Sequence, residues 1–250
     1  MQLQEFTVNN IKIKVATTDE KTQIYSLRYK SLILDYDKSK KESEGLDKDD
    51  YDDFCDYIVA IDMNTNEVVG TYRLIRKEHA QKAGMFSTEK EFNIDNLKNK
   101  NCDILEIGRA VVKEEYRDGL VIGLLWKAVI RYALLFKIKY LFGTASFHGT
   151  DPKLYQHSLS SLYYNHLSPP DKRAFARKDS RCDLQQLPIT EVDPLLAKKE
   201  MPPLIKGYIN LWATIGEGAY IDHSFKSIDV LILLEIDKIN PRYLQRYLED

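Results

Sequence analysis

The sequence has 250 residues, of which 44% are hydrophobic, so the chain is long and apolar enough to form a packed globular core. Its 36 basic and 38 acidic residues leave a formal charge of -2, which argues against a general nucleic-acid-binding protein. The cysteines, Cys55, Cys102 and Cys182, form no CxxC pair, which argues against a zinc site and against a disulfide framework.

The first ten residues, MQLQEFTVNN, lack the basic and apolar regions of a signal peptide. The longest apolar segment, residues 119–136, is interrupted by Lys127 and Arg131, so it is predicted to be a core helix rather than a membrane span. We therefore expect a cytoplasmic protein without a membrane-spanning helix.

The N-terminal region is predicted to contain two hairpins and one helix. Residues 6–16 alternate apolar and polar side chains around Asn9-Asn10, which indicates a hairpin. Thr18 precedes a helical pattern that runs to about Asp35. Apolar runs at 57–62 and 67–75 flank a turn and indicate a second hairpin.

The segment between the helix and the second hairpin, residues 38–53, is dense in charge. Its composition predicts a mobile loop, and by default its carboxylates are expected to be solvated. Residues 81–98 are largely polar and predict a loop with one or two helical turns. Both segments therefore lie outside the predicted core.

A strand, a turn and a helix are predicted over residues 102–136. The strand, 104–112, carries the charged residues Glu106 and Arg109 among Ile, Leu, Ala and Val. Arg73 is likewise a charged residue inside the predicted strand 67–75. A buried charge is costly unless it is paired or has a function. These residues are the first site candidates, and the alternative is that Glu106 and Arg109 pair with each other or face solvent.

The second half is predicted to alternate strands, helices and surface segments. Residues 138–147 predict a buried strand, and Asp151-Pro152 is expected to start a helix over 153–166. The basic run 172–181 is by default a solvated helix face. Four prolines, at 188, 194, 202 and 203, predict a surface linker. Residues 227–236 predict a buried strand, and Asn240-Pro241 begins a terminal helix.

The motifs of hydrolases and nucleotide-binding folds are missing, because no HExxH, GxSxG, P-loop or GxGxxG occurs and the five histidines have no metal-ligand spacing. The strand ILEIGRAVV, the turn EEYRDG and the apolar helix resemble the acetyltransferase-like (GNAT) fold. This resemblance implies an α/β (α+β) domain with a central mixed, mostly antiparallel sheet flanked by helices. In that family the turn holds a pyrophosphate. Here a remnant of that motif, Arg117-Asp118-Gly119, stands at a helix N-terminus, which favours a donor with a single phosphate, such as the phosphopantetheine of acyl carrier protein.

The first half is similar to the acyl-homoserine-lactone synthases, which use acyl carrier protein donors. The matching motifs are Leu27-Arg28, the acidic motif from Asp47 to Asp52, Gly70-Thr71-Tyr72-Arg73, and Glu106-Ile107-Gly108-Arg109. The resemblance implies that Arg28, Arg73 and Arg109 hold Asp49 and Asp52, and so close the acidic loop over the acyl donor.

The second half resembles the bacterial ornithine N-acyltransferases of ornithine-lipid synthesis, through EIGRAVV, LFGTASFHGTDP, PPLIKGYI, GEGAYIDHSF and SIDVLILLEIDKINPRY. The resemblance implies one acyltransferase domain over 1–250, with a family-specific part from about residue 150. It also implies transfer of a 3-hydroxyacyl group from acyl carrier protein to the α-amino group of L-ornithine, which gives lyso-ornithine lipid. The carrier protein's acyl-phosphopantetheine is then a co-substrate, and no tightly bound cofactor or metal is expected.

Site roles follow from this resemblance. Glu106 is the expected general base, because its enclosure among apolar residues favours proton uptake. His148, Asp151, Asp222 and His223 are candidates for binding the amino-acid acceptor, although Asp151 is equally a helix cap and the histidines are equally structural.

The basic run offers Arg173, Arg177 and Arg181 as a docking face for the acidic carrier protein. A lipid product also implies peripheral contact with the inner face of the membrane. Two alternatives remain open at this point: an enzyme similar to acyl-homoserine-lactone synthases, with S-adenosylmethionine as acceptor, and a non-catalytic module that binds acyl chains or carrier protein.

Overall fold

The computed structural model describes residues 3–34 and 45–248. Its strands are β1 Phe6–Val8, β2 Ile11–Val15, β3 Asp56–Asp62, β4 Glu67–Arg76, β5 Phe92–Asn93, β6 Asp103–Val112, β7 Ile138–His148, β8 Phe175–Ala176, β9 Arg181–Cys182, β10 Thr214–Ile215, β11 Ala219–Asp222 and β12 Ser227–Glu235. Its α-helices are α1 Lys21–Tyr29, α2 Lys77–Ala83, α3 Asp95–Lys98, α4 Leu120–Leu135, α5 Gln156–His166, α6 Pro194–Glu200, α7 Pro203–Asn210 and α8 Pro241–Leu248.

The described residues form two compact units, each assembled from separate stretches of chain. Of the described residues, the first unit contains 3–34, 45–85, 105–138 and 245–248, and the second contains 86–104 and 139–244. Neither unit is therefore one continuous stretch of the chain.

In the first unit, β1, β2, β3, β4 and β6 pair in that order, and each pair is antiparallel. Both predicted hairpins are confirmed, and the first turns at Asn9, whose φ of 54° suits asparagine. The predicted helix is confirmed over α1, which continues as a π-helical turn, Lys30–Leu34, while Asp35 lies outside the described residues.

Helices cover both faces of this sheet, so the central strands β3 and β4 are buried on both sides. Helix α1 packs against one face with Ile24 and Leu27, beside Tyr57 and Val59 of β3. Helix α4 packs against the other face, where Tyr72 of β4 meets Trp126 edge to face. The predicted strand, turn and helix are thus confirmed, with Gly119 at φ 99° before α4.

In the second unit, β7, β12, β11 and β9 are neighbours in that order, and β10 also pairs with β12. Strand β12 is almost entirely buried, as its continuous apolar run predicts. The expected helix after Asp151 begins as a 3₁₀ turn, Pro152–Tyr155, and continues as α5.

Two expectations for this unit are wrong. The proline-rich linker is largely helical, because Pro194 and Pro203 occupy the first positions of α6 and α7, where a missing N–H costs nothing. The basic run 172–181 forms no α-helix; it begins at the end of a 3₁₀ turn, Pro170–Lys172, and contains β8 and part of β9. Lys172 in this run is buried and pairs with Glu235 at 2.5 Å, so a distant carboxylate fixes its position.

Close packing of α4 on the sheet predicts a sharp difference between two glycines. A Cβ atom added at Gly70 would lie 2.7 Å from Val121 Cγ1 and 3.1 Å from Leu125 Cδ1, whereas one added at Gly123 within α4 meets nothing within 4 Å. Gly70→Ala should therefore lower the free energy of unfolding by about 1–3 kcal/mol. Gly123→Ala, the control, should raise it by up to about 1 kcal/mol, measured by urea denaturation. Equal effects at both positions would contradict this packing.

Candidate active site

A β-bulge interrupts the pairing of β4 with β6 in the first unit. Thr71 lies opposite Val111, but Arg73 lies opposite Gly108, so Arg109 and Ala110 together face the single residue Tyr72. Arg109 has φ 49°, a left-handed conformation that costs a non-glycine residue roughly 1–2 kcal/mol. Bulges place a residue outside the hydrogen-bonded ladder and often lie beside active sites. The pairing of β4 with β6 is therefore irregular next to Arg73 and at Arg109, which are both predicted site residues.

Strand register places Glu106 and Arg73 on the same face of the sheet. Tyr57, Arg73 and Gly108 are aligned across β3, β4 and β6, and Glu106 lies two residues before Gly108. Glu106 and Arg73 are each only 3% exposed. The carboxylate of Glu106 is among the charges that raise the pKa of Arg73. Glu106 is therefore a buried acid beside a buried arginine.

Three arginines and three aspartates meet on the α1 side of this sheet. We name this group, with one tyrosine, the arginine–aspartate cluster; its members are Arg28, Arg73, Arg109, Asp47, Asp49, Asp52 and Tyr57. The formal charges of the arginines and aspartates cancel, three against three. Glu106 adds a fourth carboxyl group beside Arg73 in this buried region.

Arg28 is the most deeply buried member of the cluster, with 0% exposure. Its Nε donates to Asp47 Oδ2 at 2.9 Å, and its Nη1 donates to Asp52 Oδ1 and to Tyr57 Oη at 2.8 Å each. Tyr57 Oη also donates to Asp52. Burial opposes the charge of Arg28, but the tyrosine and both carboxylates outweigh burial and raise the pKa of Arg28. Arg28 thereby fixes the acidic segment to α1.

Arg73 and Arg109 hold the next acid of the same segment. Arg73 Nη1 donates to Asp49 Oδ2 at 2.7 Å and to Asp52 Oδ1 at 3.2 Å, and Arg109 Nη2 donates to Asp49 Oδ2 at 3.2 Å. Burial of Asp49 favours its neutral form, but Arg73 and then Arg109 outweigh this and hold the pKa of Asp49 well below its ordinary 3.8. The segment is thus bound to β4 and β6 as well as to α1.

The acidic segment folds on its own carboxylates. Asp52 Oδ2 accepts from the backbone N–H of Asp49 at 2.9 Å, and Asp49 Oδ1 accepts from the N–H of Tyr51 at 3.0 Å. The Tyr51 ring lies 5.4 Å from the Arg73 guanidinium. The expectation of solvated carboxylates is therefore wrong for Asp47, Asp49 and Asp52, because arginines from three other elements neutralise them. Residues 35–44 lie outside the described part of the chain.

Sequence reasoning missed Tyr57, although a signal for it existed. The hairpin alternation that places Val59 and Ile61 on the α1 face also places Tyr57 there, directly opposite Arg73. A buried phenol needs a hydrogen-bond partner, and Asp52 and Arg28 supply two. Burial, and then neighbouring negative charge, raises the pKa of Tyr57, so it stays a neutral donor.

The predicted phosphate-binding turn lies at the start of α4. Gly119 provides the left-handed residue before the helix, and Arg117 Nε donates to the backbone oxygen of Val112 at 2.8 Å. Asp118 Oδ1 accepts from the N–H of Leu120 at 2.9 Å, so one N–H of the helix start already binds a carboxylate. A phosphate would have to share this end of the helix with Asp118.

The candidates for acceptor binding belong to the second unit, and strand pairing aligns two of them. Ser227 of β12 lies opposite His148 of β7 on one side and opposite Asp222 of β11 on the other, and His223 follows in the turn. Asp151 instead caps a 3₁₀ turn, because its Oδ1 accepts from Lys153 N at 3.0 Å. His148 and Asp222 therefore share a row, while Asp151 has a separate structural position.

Asp222 also belongs to an acidic group. Carboxylate oxygens of Glu91, Asp222 and Asp229 lie within 4.8 Å of one another. Oxygen donors of this kind suit a hard metal cation or an ammonium group. Asp222 already accepts from the N–H groups of Ser224 at 2.7 Å and Phe225 at 3.0 Å. Carboxylates often meet without a ligand, so this group by itself defines no site.

The predicted docking arginines have partners within the second unit. Arg173 Nη1 pairs with Glu217 at 3.0 Å, and Arg181 Nη2 lies 3.4 Å from Asp183 and 3.6 Å from Glu217. Arg177 is exposed, and its Nη1 donates to the backbone oxygen of Glu89 at 3.5 Å. Of these three, Arg177 has the fewest contacts to lose on meeting an acidic partner.

Comparison with known proteins places this chain in a family. Residues 27–127 match the acetyltransferase (GNAT) domain model. The chain is 34% identical to the L-ornithine N(alpha)-acyltransferase of Brucella abortus, over 96% of this chain and 89% of that protein. It is 36% identical to the Rhizobium meliloti protein of the same name, over 80% and 70% of the two chains. The chain belongs to the L-ornithine N(alpha)-acyltransferase family. It is therefore an acyltransferase.

Solved structures of low identity share the fold of this family. FeeM, an N-acyl amino acid synthase from uncultured soil microbes, matches with a TM-score of 0.51 at 11% identity, over 95% of both chains. BjaI, a CoA-dependent acyl-homoserine lactone synthase, matches with a TM-score of 0.51 at 15% identity, over 92% of this chain and 80% of that one. The predicted GNAT-like fold is confirmed. In the described part of the chain, no helix is both long and apolar enough to cross a bilayer.

The burial of Arg28 predicts a large loss of stability in Arg28→Met. Asp52 is 0% exposed, and removal of one buried partner leaves excess buried negative charge. We expect Arg28→Met to lower the free energy of unfolding by about 3–5 kcal/mol in urea denaturation. Lys48→Met is the matched control, because Lys48 pairs with Asp53 on the exposed side of the same segment; it should cost less than about 1 kcal/mol. Similar losses in both variants would argue against a buried cluster.

The lowered pKa of Asp49 predicts a specific pH dependence. In the unfolded chain Asp49 titrates near its ordinary 3.8, whereas the folded carboxylate keeps its charge to lower pH. The stabilisation is therefore complete above the unfolded-state pKa and is lost as the pH falls toward the folded-state pKa. The difference in unfolding free energy between wild type and Asp49→Asn should be largest near neutral pH and should shrink below about pH 4. A difference that does not change with pH would contradict the ion pairs of Asp49.

Proposed function

We propose that this acyltransferase moves a 3-hydroxyacyl group from acyl carrier protein to the α-amino group of L-ornithine, giving lyso-ornithine lipid. The observation that carries the proposal is the buried Glu106 beside Arg73, next to the bulge at Arg109. Relatives at 34% and 36% identity are named for acylation of the α-nitrogen of ornithine. Both the chemistry of the site and the family therefore favour amide formation.

Glu106 acts as the general base in this proposal. An ornithine α-ammonium must lose a proton before its nitrogen can attack the thioester carbon, and Glu106 accepts that proton directly or through one water. The new C–N bond forms as the C–S bond breaks, and the phosphopantetheine thiolate leaves. The thiolate takes the second proton, which the nitrogen loses as the amide forms, so that amide and thiol are the products. Burial of Glu106 keeps water from competing with the amine.

The bulge supplies the polarising groups. Residues 108–110 of β6 stand where the ladder with β4 is irregular, and in this proposal their backbone N–H groups donate to the thioester oxygen. Arg109 contributes its backbone at this point, while its side chain binds Asp49. Arg109 therefore links the polarising backbone to the acidic segment.

The arginine–aspartate cluster holds the acidic segment in its closed position over the donor. Arg28, Arg73 and Arg109 each contact Asp49 or Asp52, so the segment cannot leave without exposing several buried charges. In this role the cluster positions the acyl group and excludes water without touching the reacting atoms.

The donor and acceptor sites complete the proposal. The turn Arg117-Asp118-Gly119 binds the single phosphate of phosphopantetheine, with Arg117 as the cation. His148, Asp222 and His223 bind the carboxylate and the side-chain ammonium of ornithine. Asp151 keeps its separate position as a cap of the 3₁₀ turn. Arg177, together with Arg173 and Arg181, binds the acidic carrier protein. The lipid product leaves through peripheral contact with the membrane.

One assay tests the whole proposal. The purified protein is incubated with 3-hydroxyacyl carrier protein and one acceptor per reaction: L-ornithine, L-lysine or S-adenosylmethionine. The products are analysed by mass spectrometry. The proposal expects an ornithine amide at the α-nitrogen. Parallel reactions with 3-hydroxyacyl coenzyme A identify the donor. A homoserine lactone product, or no product with any acceptor, would overturn the proposal.

Glu106→Gln tests the role of the general base. The amide is nearly isosteric with the carboxylate but cannot accept the ammonium proton, so kcat should fall by about 10²- to 10⁴-fold. The apparent affinity for ornithine and the thermal unfolding midpoint should stay close to wild type. Glu114→Gln, at an exposed position before α4, is the control and should keep full activity. Wild-type turnover in Glu106→Gln would remove the role of Glu106.

A further inference from the structure

Large apolar side chains are exposed on the segments around α5 in the second unit. Leu195 is 79% exposed, Leu154 and Ile189 are each 63% exposed, and Leu196 is 40% exposed. Single exposed apolar residues are ordinary, but a group on adjoining segments marks an interaction surface. We name these four residues, together with Lys153, Lys198 and Lys199, the leucine–lysine surface.

The four apolar residues lie on segments that pack around one helix. Helix α6, with Leu195 and Leu196, packs against α5 and against the 3₁₀ turn that carries Leu154. The turn Ile189–Glu191 also packs against α5. The backbone N–H of Asp193 donates to His157 Nδ1 at 3.2 Å, which joins the start of α6 to the first turn of α5. The exposed side chains therefore belong to one region.

Helix α6 presents its larger apolar side chains to solvent. The small Ala197 is 3% exposed and Met201, at the helix end, is 8% exposed, and the oxygen of Ala197 accepts from Ser158 of α5. Leu195 and Leu196 point away from this contact, as their exposure shows. Packing of α6 thus does not require the two leucines, and their positions need another explanation.

Basic side chains accompany the leucines. Lys153, Lys198 and Lys199 are exposed and form no ion pair within residues 3–34 and 45–248. Nearby carboxylates are engaged with helix starts: Asp193 accepts from Leu195 N at 2.7 Å, and Glu200 accepts from Ser158 N at 2.9 Å. Asp151 likewise accepts from Lys153 N at 3.0 Å, at the start of the turn that leads into α5. The partial positive charge of a helix N-terminus offsets such carboxylates, so among the acids of these segments Glu191 is the exposed one that caps no helix start. The lysines therefore remain available to an anionic partner.

We infer that the leucine–lysine surface binds the anionic face of a lipid bilayer. Leucine and isoleucine side chains enter the boundary between head groups and acyl chains, while lysines remain at the level of the phosphates. The choice of a bilayer over a protein partner rests on the proposed function, because an acylated amino acid partitions into membranes. The surface uses no residue of the arginine–aspartate cluster, so membrane binding and acyl transfer can fail independently.

The experiment measures co-sedimentation of the full chain, without substrates, with vesicles of phosphatidylglycerol and phosphatidylcholine and with vesicles of phosphatidylcholine alone. Wild type should bind the anionic vesicles more strongly. The variant Leu195→Ser/Leu196→Ser should lose binding on the order of tenfold to both vesicle types. The variant Lys198→Glu/Lys199→Glu should lose on the order of tenfold, mainly with anionic vesicles.

Lys82→Glu/Arg177→Glu is the charge-matched control and should bind anionic vesicles within about threefold of wild type, since both residues lie outside the surface. Thermal unfolding checks that each variant is folded. The inference is overturned if wild type stays in the supernatant with both vesicle types, or if the leucine and lysine variants bind as wild type does. Loss of a dimer in the leucine variant, measured by sedimentation velocity without lipid, together with no vesicle binding by wild type, would assign the surface to a second copy and also overturn the inference.

Discussion

The charge of Arg73, on a strand that is buried on both faces, is the constraint on which the candidate site depends. A cation that is 3% exposed is stable only beside anions, and Asp49 and Asp52 provide these at 2.7 and 3.2 Å. Those acids belong to a segment with few apolar residues, which could not fold on a hydrophobic core of its own. The arginine thus orders the acidic segment, and the segment in turn makes a buried arginine tolerable.

Glu106 follows from the same arrangement. Arg73 on the adjacent strand is a cation that offsets the cost of burying this carboxylate. Glu106 adds a further carboxylate to the three aspartates that the arginines bind, and it is the general base of the proposed function. The bulge at Arg109 and Ala110 lies three to four residues further along β6, so the proposed base and the proposed polarising backbone belong to one strand.

Local patterns in the sequence predicted the elements of the first unit, because alternation at 6–16 and 57–75 and the glycine before α4 each act over a few residues. Family motifs predicted that Arg28, Arg73 and Arg109 would meet Asp49 and Asp52, although composition alone assigned these acids to solvent. The bulge depends on the register of β4 against β6, and the role of Tyr57 depends on Asp52 and Arg28, so neither follows from local spacing. Likewise, Lys172 takes its position from Glu235, 63 residues away.

In the proposed function an amine nucleophile meets its acyl donor beside Glu106. A crystal structure with a stable analogue, in which the ornithine α-nitrogen is linked to phosphopantetheine through the acyl carbon, tests this directly. We expect the ornithine nitrogen to lie within about 3.2 Å of a Glu106 carboxylate oxygen, or one water away from it. The acyl oxygen should lie at the backbone of residues 108–110. An analogue bound with its nitrogen remote from Glu106 would contradict the account.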